Sequence, residues 1–277
     1  MRSFKNAEPL HNVPILDRAF HYGDGIFTTA RFHRDILELE ERHWLRLKSG
    51  AERLFLNFDF ALIFKSIEQL RSEFQRLNGT LKIIISRGEG DRGYAIPDHP
   101  ADVYVLFYPK SEAEHQIEII ESGLLSQVIG LSMPSLAGLK SLNRLEQVLL
   151  KNEALTHGWQ EALVSDVQSV IVEGVSSNCF IKINKQWITP DLRYNGVHGV
   201  MRAEILSRMQ QANIDCQQRL IKTDELKCIE SLFFCNALSP MKAVQKIGHH
   251  LLDIQPCTAL FRTLQLDQLS HYANSET

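Results

Sequence analysis

The segment Gly138-Leu139-Lys140-Ser141-Leu142-Asn143-Arg144-Leu145-Glu146-Gln147 combines a lysine with a small-residue turn before it (Ser135, Ala137, Gly138) and a helical pattern after it. An amine held at such a junction can point into a cavity. Burial or a neighbouring cation there lowers its pKa from about 10.4, and it can then form a Schiff base and shuttle protons. A lysine by itself is more often a solvated surface group, so its companions decide the reading. Arg46, in His43-Trp44-Leu45-Arg46-Leu47, has apolar neighbours on both sides. An enclosed guanidinium meets a phosphate or carboxylate with a bidentate fork, while a solvated helix arginine is the plainer alternative. Gly196-Val197-His198-Gly199-Val200-Met201-Arg202 is a glycine-flanked turn feeding a helix, whose free N-terminal amides suit a phosphate.

Glu173 ends the apolar run Val170-Ile171-Val172, where an inward carboxylate needs a positive partner. A protonated pyridine nitrogen is one candidate and an arginine is the structural alternative. Asn236-Ala237 follows the apolar run Leu232-Phe233-Phe234-Cys235 and adds amide donors at a strand end. An amine, a phosphate cradle and a carboxylate are together what pyridoxal phosphate requires.

The elements that must position these groups can be read from periodicity. Gly25–Phe32 and Ile36–Leu39 read as a hairpin, followed by a helix over Glu40–Leu54 with Trp44, Leu47, Ala51 and Leu54 on one face. A second helix is expected over Phe60–Leu77, stopped by Asn78-Gly79, and strands at Leu81–Ser86 and Val103–Tyr108. The polar stretch Pro109–His115 marks a linker region. The expected organisation is a small N-terminal α/β domain (1–110), a linker (111–122) and a larger C-terminal domain (123–277). After the polar stretch, strands are expected near Gln116–Glu121, Gln127–Leu131, Glu161–Ser165, Ser169–Glu173, Asn178–Ile183, Gln186–Thr189, Leu232–Cys235 and Ala243–Ile247. Helices are expected after Lys140 to about Glu153, over Val200–Ala212 and from Thr258. The mixture is of α/β or α+β class.

Composition narrows the function. With 277 residues and a net charge of −3, the chain has ample core and no basic face for nucleic acid. The N-terminus lacks the apolar core of a secretory signal, and no apolar run reaches membrane-spanning length. Five cysteines without CxxC spacing read as buried thiols in a reducing cytoplasm. No metal is expected, because none of the eleven histidines stands in HExxH spacing. Gly88-Glu89-Gly90-Asp91-Arg92-Gly93 spells GxGxxG after a strand, but Pro97 and Pro100 exclude the helix a dinucleotide loop needs. Arg92 and Tyr94 on that loop could instead grip an anionic substrate, or the loop is simply an exposed one.

At this point the chain resembles the fold-type IV pyridoxal-phosphate enzymes, which include branched-chain and D-amino-acid aminotransferases and aminodeoxychorismate lyase. The resemblance rests on Asp17-Arg18-Ala19 with Tyr22-Gly23-Asp24-Gly25, His43–Leu47, Lys140–Asn143, Glu173-Gly174 with Ser177-Asn178, Gly196–Arg202 and Asn236-Ala237. It implies a small α/β domain, a larger pseudo-barrel domain, pyridoxal 5'-phosphate as cofactor and a homodimer. It also implies Lys140 as Schiff-base lysine and general base or acid, with Arg46, Glu173, Gly199, Val200, Met201, Asn236 and Ala237 around the cofactor. Ser86-Arg87-Gly88, Arg92-Gly93-Tyr94 and Asn143–Val148 resemble the aminodeoxychorismate lyase branch most. That implies cleavage of 4-amino-4-deoxychorismate to 4-aminobenzoate and pyruvate in the cytoplasm, with Phe27, Thr29, Arg92, Tyr94, Asn143 and Arg144 as candidate substrate contacts. A D- or branched-chain amino-acid aminotransferase is the alternative. Val200-Met201 stands where the family usually has isoleucine-threonine, and Ala237 replaces a hydroxyl residue, so the phosphate grip shifts toward Arg46 and backbone amides.

Overall fold

The computed structural model describes residues 1–269, so the end of the expected C-terminal domain, 270–277, lies outside the described residues. The chain divides into two compact units. Among the described residues, one comprises Met1–Ala113 with Leu139–Asn143; the other comprises Glu114–Gly138 and residues 144–269.

The first unit contains β1 (Arg2–Lys5), β2 (Glu8–Pro9), α1 (Arg18–Tyr22), β3 (Gly25–His33), β4 (Ile36–Leu37), α2 (Glu40–Arg53), α3 (Phe60–Glu73), β5 (Gly79–Ser86) and β6 (Asp102–Pro109). Its six strands lie in the order β2-β1-β6-β5-β3-β4, antiparallel throughout. Alternation along β3 explains the layering: Ile26, Thr28, Ala30 and Phe32 are buried, while Phe27, Thr29 and Arg31 project to the other, half-buried face. Leu81, Ile83, Ile85, Val103, Val105 and Phe107 share the buried face, with Leu47 and Ala51 of α2 and Ile63 and Leu70 of α3 in the same core. Each of the larger of these side chains (Val, Leu, Ile, Phe) contributes about 1.5–3 kcal/mol on burial. Asp59 caps α3 by accepting from the Ala61 amide at 2.8 Å. The helix stops at Glu73 rather than Leu77, because Phe74 turns extended (ψ 132°) and sets its ring 5.2 Å from that of Phe107.

The second unit contains β7 (Glu118–Ser122), α4 (Leu145–Thr156), β8 (Leu163–Ser165), β9 (Val170–Gly174), β10 (Asn178–Ile183), β11 (Gln186–Pro190), α5 (Val200–Gln211), β12 (Cys216–Arg219), β13 (Ile221–Lys222), a 3-10 turn (Thr223–Cys228), β14 (Ile229–Asn236), β15 (Ser239–Ile247), β16 (His250–Leu251) and α6 (Gln255–Thr263). One sheet runs β12-β11-β10-β14-β15-β16 with β7 added in parallel to β15; a second is β13-β9-β8. β9, β10 and β14 are near-continuous apolar runs, as strands covered on both faces must be.

Within the stretch expected as linker, Glu118–Ser122 is a strand, with Ile120 in the core. The strand expected at Gln127–Leu131 is reduced to an isolated bridge between Ile129 and Asp166. The Ser126 and Gln127 amides donate to the Glu153 carboxylate at 2.6 and 3.1 Å, so they are unavailable to a ladder. The thiols differ from expectation too: Cys179, Cys235 and Cys257 are buried, but Cys216 is half-buried and Cys228 is exposed on the 3-10 turn. Among the described residues no helix is long and apolar enough to cross a membrane.

Candidate active site

In the first unit, β4 pairs only with Phe32 and His33, which leaves the Gly25–Phe27 edge of β3 open. Leu139–Asn143 fills that edge. Ile26 bridges Ser141, the Phe27 amide donates to the Lys140 carbonyl and the Leu142 amide to the Gly25 carbonyl, both at 3.0 Å. Lys140 therefore follows a turn at 134–137, as expected, and runs beside a strand, while α4 begins only at Leu145. Being opposite Phe27 in register, Lys140 projects on the same face, and its Nζ stands 4.7 Å over the Phe27 ring. The lysine is half-buried.

Arg46, His43 and Thr28 meet on the other face of β3. His43 and Arg46 are three residues apart on α2 and so share a side of the helix. Thr28 Oγ1 and His43 Nδ1 are 2.6 Å apart, and Arg46 Nη1 donates to the same hydroxyl at 3.5 Å. Burial, then the positive fields of Arg46 and Lys140, push the His43 pKa down to about 3. The ring is thus neutral, and the threonine hydroxyl that accepts from Arg46 is free to donate to Nδ1. Burial lowers Arg46 to about 10, which leaves it cationic at neutral pH. Neither Thr28 nor His43 is among the sequence-derived site residues; the available signal was a polar pair at positions whose spacing places both on buried faces.

Asn143 and Gly23 form an anchor. Gly23 adopts φ +64° at the end of α1, and a Cβ there would lie 2.5 Å from Asn143 Oδ1, so only glycine admits this approach. Asn143 Nδ2 donates to the Gly23 carbonyl at 3.2 Å, so this side chain pins the lysine segment. The family motif around α1 is likewise architectural. Asp17 accepts from the Ala19 amide at 2.8 Å and is hydrogen-bonded by the hydroxyls of Ser86 and Tyr104. Burial alone would raise the Asp24 carboxyl, but hydrogen bonds and charge from Arg87 and Arg18 bring it below its ordinary value.

The glycine loop after β5 contains no helix, as its prolines require. Arg18 Nη1 donates to the Gly93 carbonyl at 2.9 Å, and the Gly93 amide donates to the Tyr22 hydroxyl at 3.2 Å. Tyr94 packs its ring 5.5 Å from that of Tyr22 yet remains 86% exposed, and Arg92 is exposed as well. Thr29 lies half-buried on β3 opposite Lys82.

The second unit carries the carboxylate and the helix terminus. Glu173 is buried on β9, and its Oε2 accepts from the Val197 amide at 2.9 Å and from Asn178 Nδ2 at 3.2 Å. Asn178 Nδ2 also donates to the Val197 carbonyl at 2.9 Å. Gly199 is the N-cap of α5, with no side chain capping the first turn, and a Cβ at Gly199 would lie 1.8 Å from Asn178 Oδ1. The Val200 and Met201 side chains are buried, so what this terminus offers a ligand is backbone amide. Arg202 is turned inward to Thr189, Pro190 and Gln218. Asn236 uses its Oδ1 to accept the Leu238 and Ser239 amides and its Nδ2 to reach Ser177, so its side chain builds the β14–β15 turn that carries Ala237. Arg144 precedes α4 and is half-buried. Burial lowers its pKa, opposed by the negative fields of Glu173 and Glu146.

Residues 25–247 match the family described as amino-transferase class IV. The chain belongs to that family. It is 30% identical over 249 residues to the aminodeoxychorismate lyase of Vibrio harveyi, covering 88% of this chain and 90% of that protein. A crystal structure of 4-amino-4-deoxychorismate lyase from Pseudomonas aeruginosa superposes with a TM-score of 0.85 at 31% identity, covering 96% and 99% of the two chains. The D-alanine aminotransferase of Bacillus licheniformis is 25% identical, covering 85% and 83%.

Members of the class IV family use pyridoxal phosphate. The residues present suit that group. An ammonium is fixed over an aromatic ring, a buried carboxylate is pre-oriented by two amide donors, and an uncapped helix start is kept free of a Cβ.

Proposed function

We propose that the protein is a pyridoxal-phosphate-dependent 4-amino-4-deoxychorismate lyase, releasing 4-aminobenzoate and pyruvate. The observation that carries this reading is that its similarity to lyases of this name runs nearly the full length of both chains.

The bound cofactor supplies an electron-withdrawing ring in conjugation with the substrate nitrogen. Lys140 would hold the cofactor through its Nζ and, once that nitrogen is free, would serve as the base. Its freed Nζ then takes the proton from the ring carbon bearing that amine. Aromatisation expels the enolpyruvyl group, and Lys140 returns a proton to its methylene, which completes pyruvate. Glu173 keeps a proton on the cofactor's ring nitrogen. Arg46 and the amides of Gly199, Val200 and Met201 bind the phosphate, with Asn236 and Ala237 shaping its remaining contacts. Phe27, Thr29, Arg92, Tyr94 and Arg144 face the substrate, and Asn143 contributes by holding Gly23. The enzyme acts as a homodimer in the cytoplasm.

The test is to mix the purified holoenzyme with chorismate, glutamine and an aminodeoxychorismate-forming synthase and to assay 4-aminobenzoate. Its absence would overturn the lyase reading. The similarity to D-alanine aminotransferase favours a second reading, transamination of an amino acid by the same Lys140 and Glu173. Rapid keto-acid release from D-alanine or a branched-chain amino acid, with no 4-aminobenzoate from the coupled assay, would select it.

A further inference from the structure

Two buried carboxylates stand at the β9–β10 hairpin, and the cofactor contacts proposed above use only one of them. Glu173 lies on β9. Glu161 lies just ahead of β8, is 1% exposed, and has no cation paired with it among the described residues. Three donors converge on it instead. The Ser176 amide donates to Oε2 at 3.1 Å, and the hydroxyls of Ser176 and Ser177 both donate to Oε1, the latter at 2.9 Å. An ionised carboxylate accepts on both oxygens, so these bonds are charge-assisted and offset the cost of burying the anion.

The bonds lead outward in two directions. Ser176 and Ser177 belong to the turn between Glu173 on β9 and Asn178 on β10, and Asn178 is a donor to Glu173. Leu163 opposes Gly174 and Val164 opposes Glu173 in the β8–β9 ladder, which sets Glu161 beside that turn. In the second direction, Ser177 Oγ accepts from Asn236 Nδ2 at 3.0 Å, and Asn236 Oδ1 accepts the Leu238 and Ser239 amides. Ser177 commits its one proton to Glu161, so its lone pairs face Asn236. That decides which end of the Asn236 amide meets the β14–β15 turn. Gly174 leaves room for this arrangement. A Cβ there would stand 2.8 Å from Glu161 Oε2 and 2.7 Å from the Phe234 ring, so the glycine is required for space.

We propose that Glu161 is a positioning residue for the cofactor site: one buried carboxylate sets both the hairpin that presents Glu173 and the turn that carries Ala237. The inference rests on the placement of Glu173 and Asn236-Ala237 beside the cofactor, and it is the same for a lyase and for an aminotransferase. Glu161 acts only through Ser176, Ser177 and Asn236.

The experiment uses the full-length protein, loaded with cofactor and stripped of it. Pyridoxal phosphate affinity is measured by absorbance titration and thermal midpoints on the stripped protein. At saturating cofactor, kcat and KM are measured in the coupled 4-aminobenzoate assay. Glu161→Gln keeps the shape but sets an amide donor where the carboxylate accepts. It should weaken pyridoxal phosphate about tenfold or more, the loss expected for a charge-assisted bond, and lower kcat with KM near the wild type. Ser177→Ala should weaken the cofactor less, because it cuts only the path to Asn236. The double variant should bind no more weakly than Glu161→Gln alone, since both changes fall on one connected path. Wild-type cofactor affinity in a folded Glu161→Gln protein, even with a lowered thermal midpoint, would mark a merely structural role and overturn the proposal. Additive losses in the double variant would overturn it too. If Glu161→Gln does not fold, Ser177→Ala carries the test: weaker cofactor binding at an unchanged midpoint supports the proposal, and unchanged binding overturns it. Failure of the wild type to form 4-aminobenzoate would sink the lyase reading alone, because affinity and the double variant still decide the role of Glu161. A wild type that binds no pyridoxal phosphate would overturn the cofactor reading, and the role of Glu161 with it.

Discussion

The backbone around Lys140 is fixed independently of its side chain, because its carbonyl accepts from Phe27, Ser141 bridges Ile26 and the Leu142 amide donates to Gly25. Lys140→Ala should therefore keep the strand pairing and melt near the wild type. It should lose the visible absorbance of the bound cofactor and at least about 10³-fold in 4-aminobenzoate release. Retained turnover would remove Lys140 from the chemistry. His43 makes a different kind of prediction. Its folded pKa of about 3 lies below the ordinary histidine value of 6.5, so the unfolded chain binds the proton more readily. Its contribution to stability is complete above pH 6.5 and is lost as pH falls toward 3. Between pH 7 and pH 4 the group alone accounts for on the order of 3 kcal/mol. Denaturant midpoints of wild type and His43→Gln across that range check this, and parallel pH profiles would refute it. The sequence offered Arg46 as an enclosed cation, but not its link through Thr28 to His43. That link joins a strand to a helix, and no spacing along the chain encodes it.

At the level of elements, the junction of β9, β10 and α5 works as one unit. Asn178 ties Glu173 to Val197, and Gly199 starts the helix with room for no further carbon. Gly199→Ala should push Asn178 away, release Glu173 from one donor and block the helix amides. We expect cofactor affinity to fall at least about tenfold and stability to drop by about 1–3 kcal/mol, the range for overpacking. Cofactor titration and thermal melts measure the two effects, and unchanged affinity would show that this terminus does not hold the phosphate. The glycines and apolar runs that announced these elements were legible because turn chemistry and periodicity are local. The failed strand at Gln127–Leu131 and the early end of α3 were not, since Glu153 and Phe107 decide them from distant positions.

At the level of the whole molecule, the proposed homodimer predicts twice the chain mass in light scattering at micromolar concentration, with or without added cofactor. A monomeric mass with full activity would exclude it. The apolar alternation of β3, β5 and β6, the helix at residue 200 and the residue types of the site were determined by the sequence alone, because each follows from hydrophobic period or from the chemistry a side chain can perform. Family motifs in register supplied the rest of the functional reading. Only the tertiary structure decided that Leu139–Asn143 leaves its sequence neighbours to extend the first sheet, placing Lys140 over Phe27. The physical reason is that an open strand edge must find hydrogen-bond partners, and which distant segment satisfies it depends on three-dimensional register rather than on any local pattern.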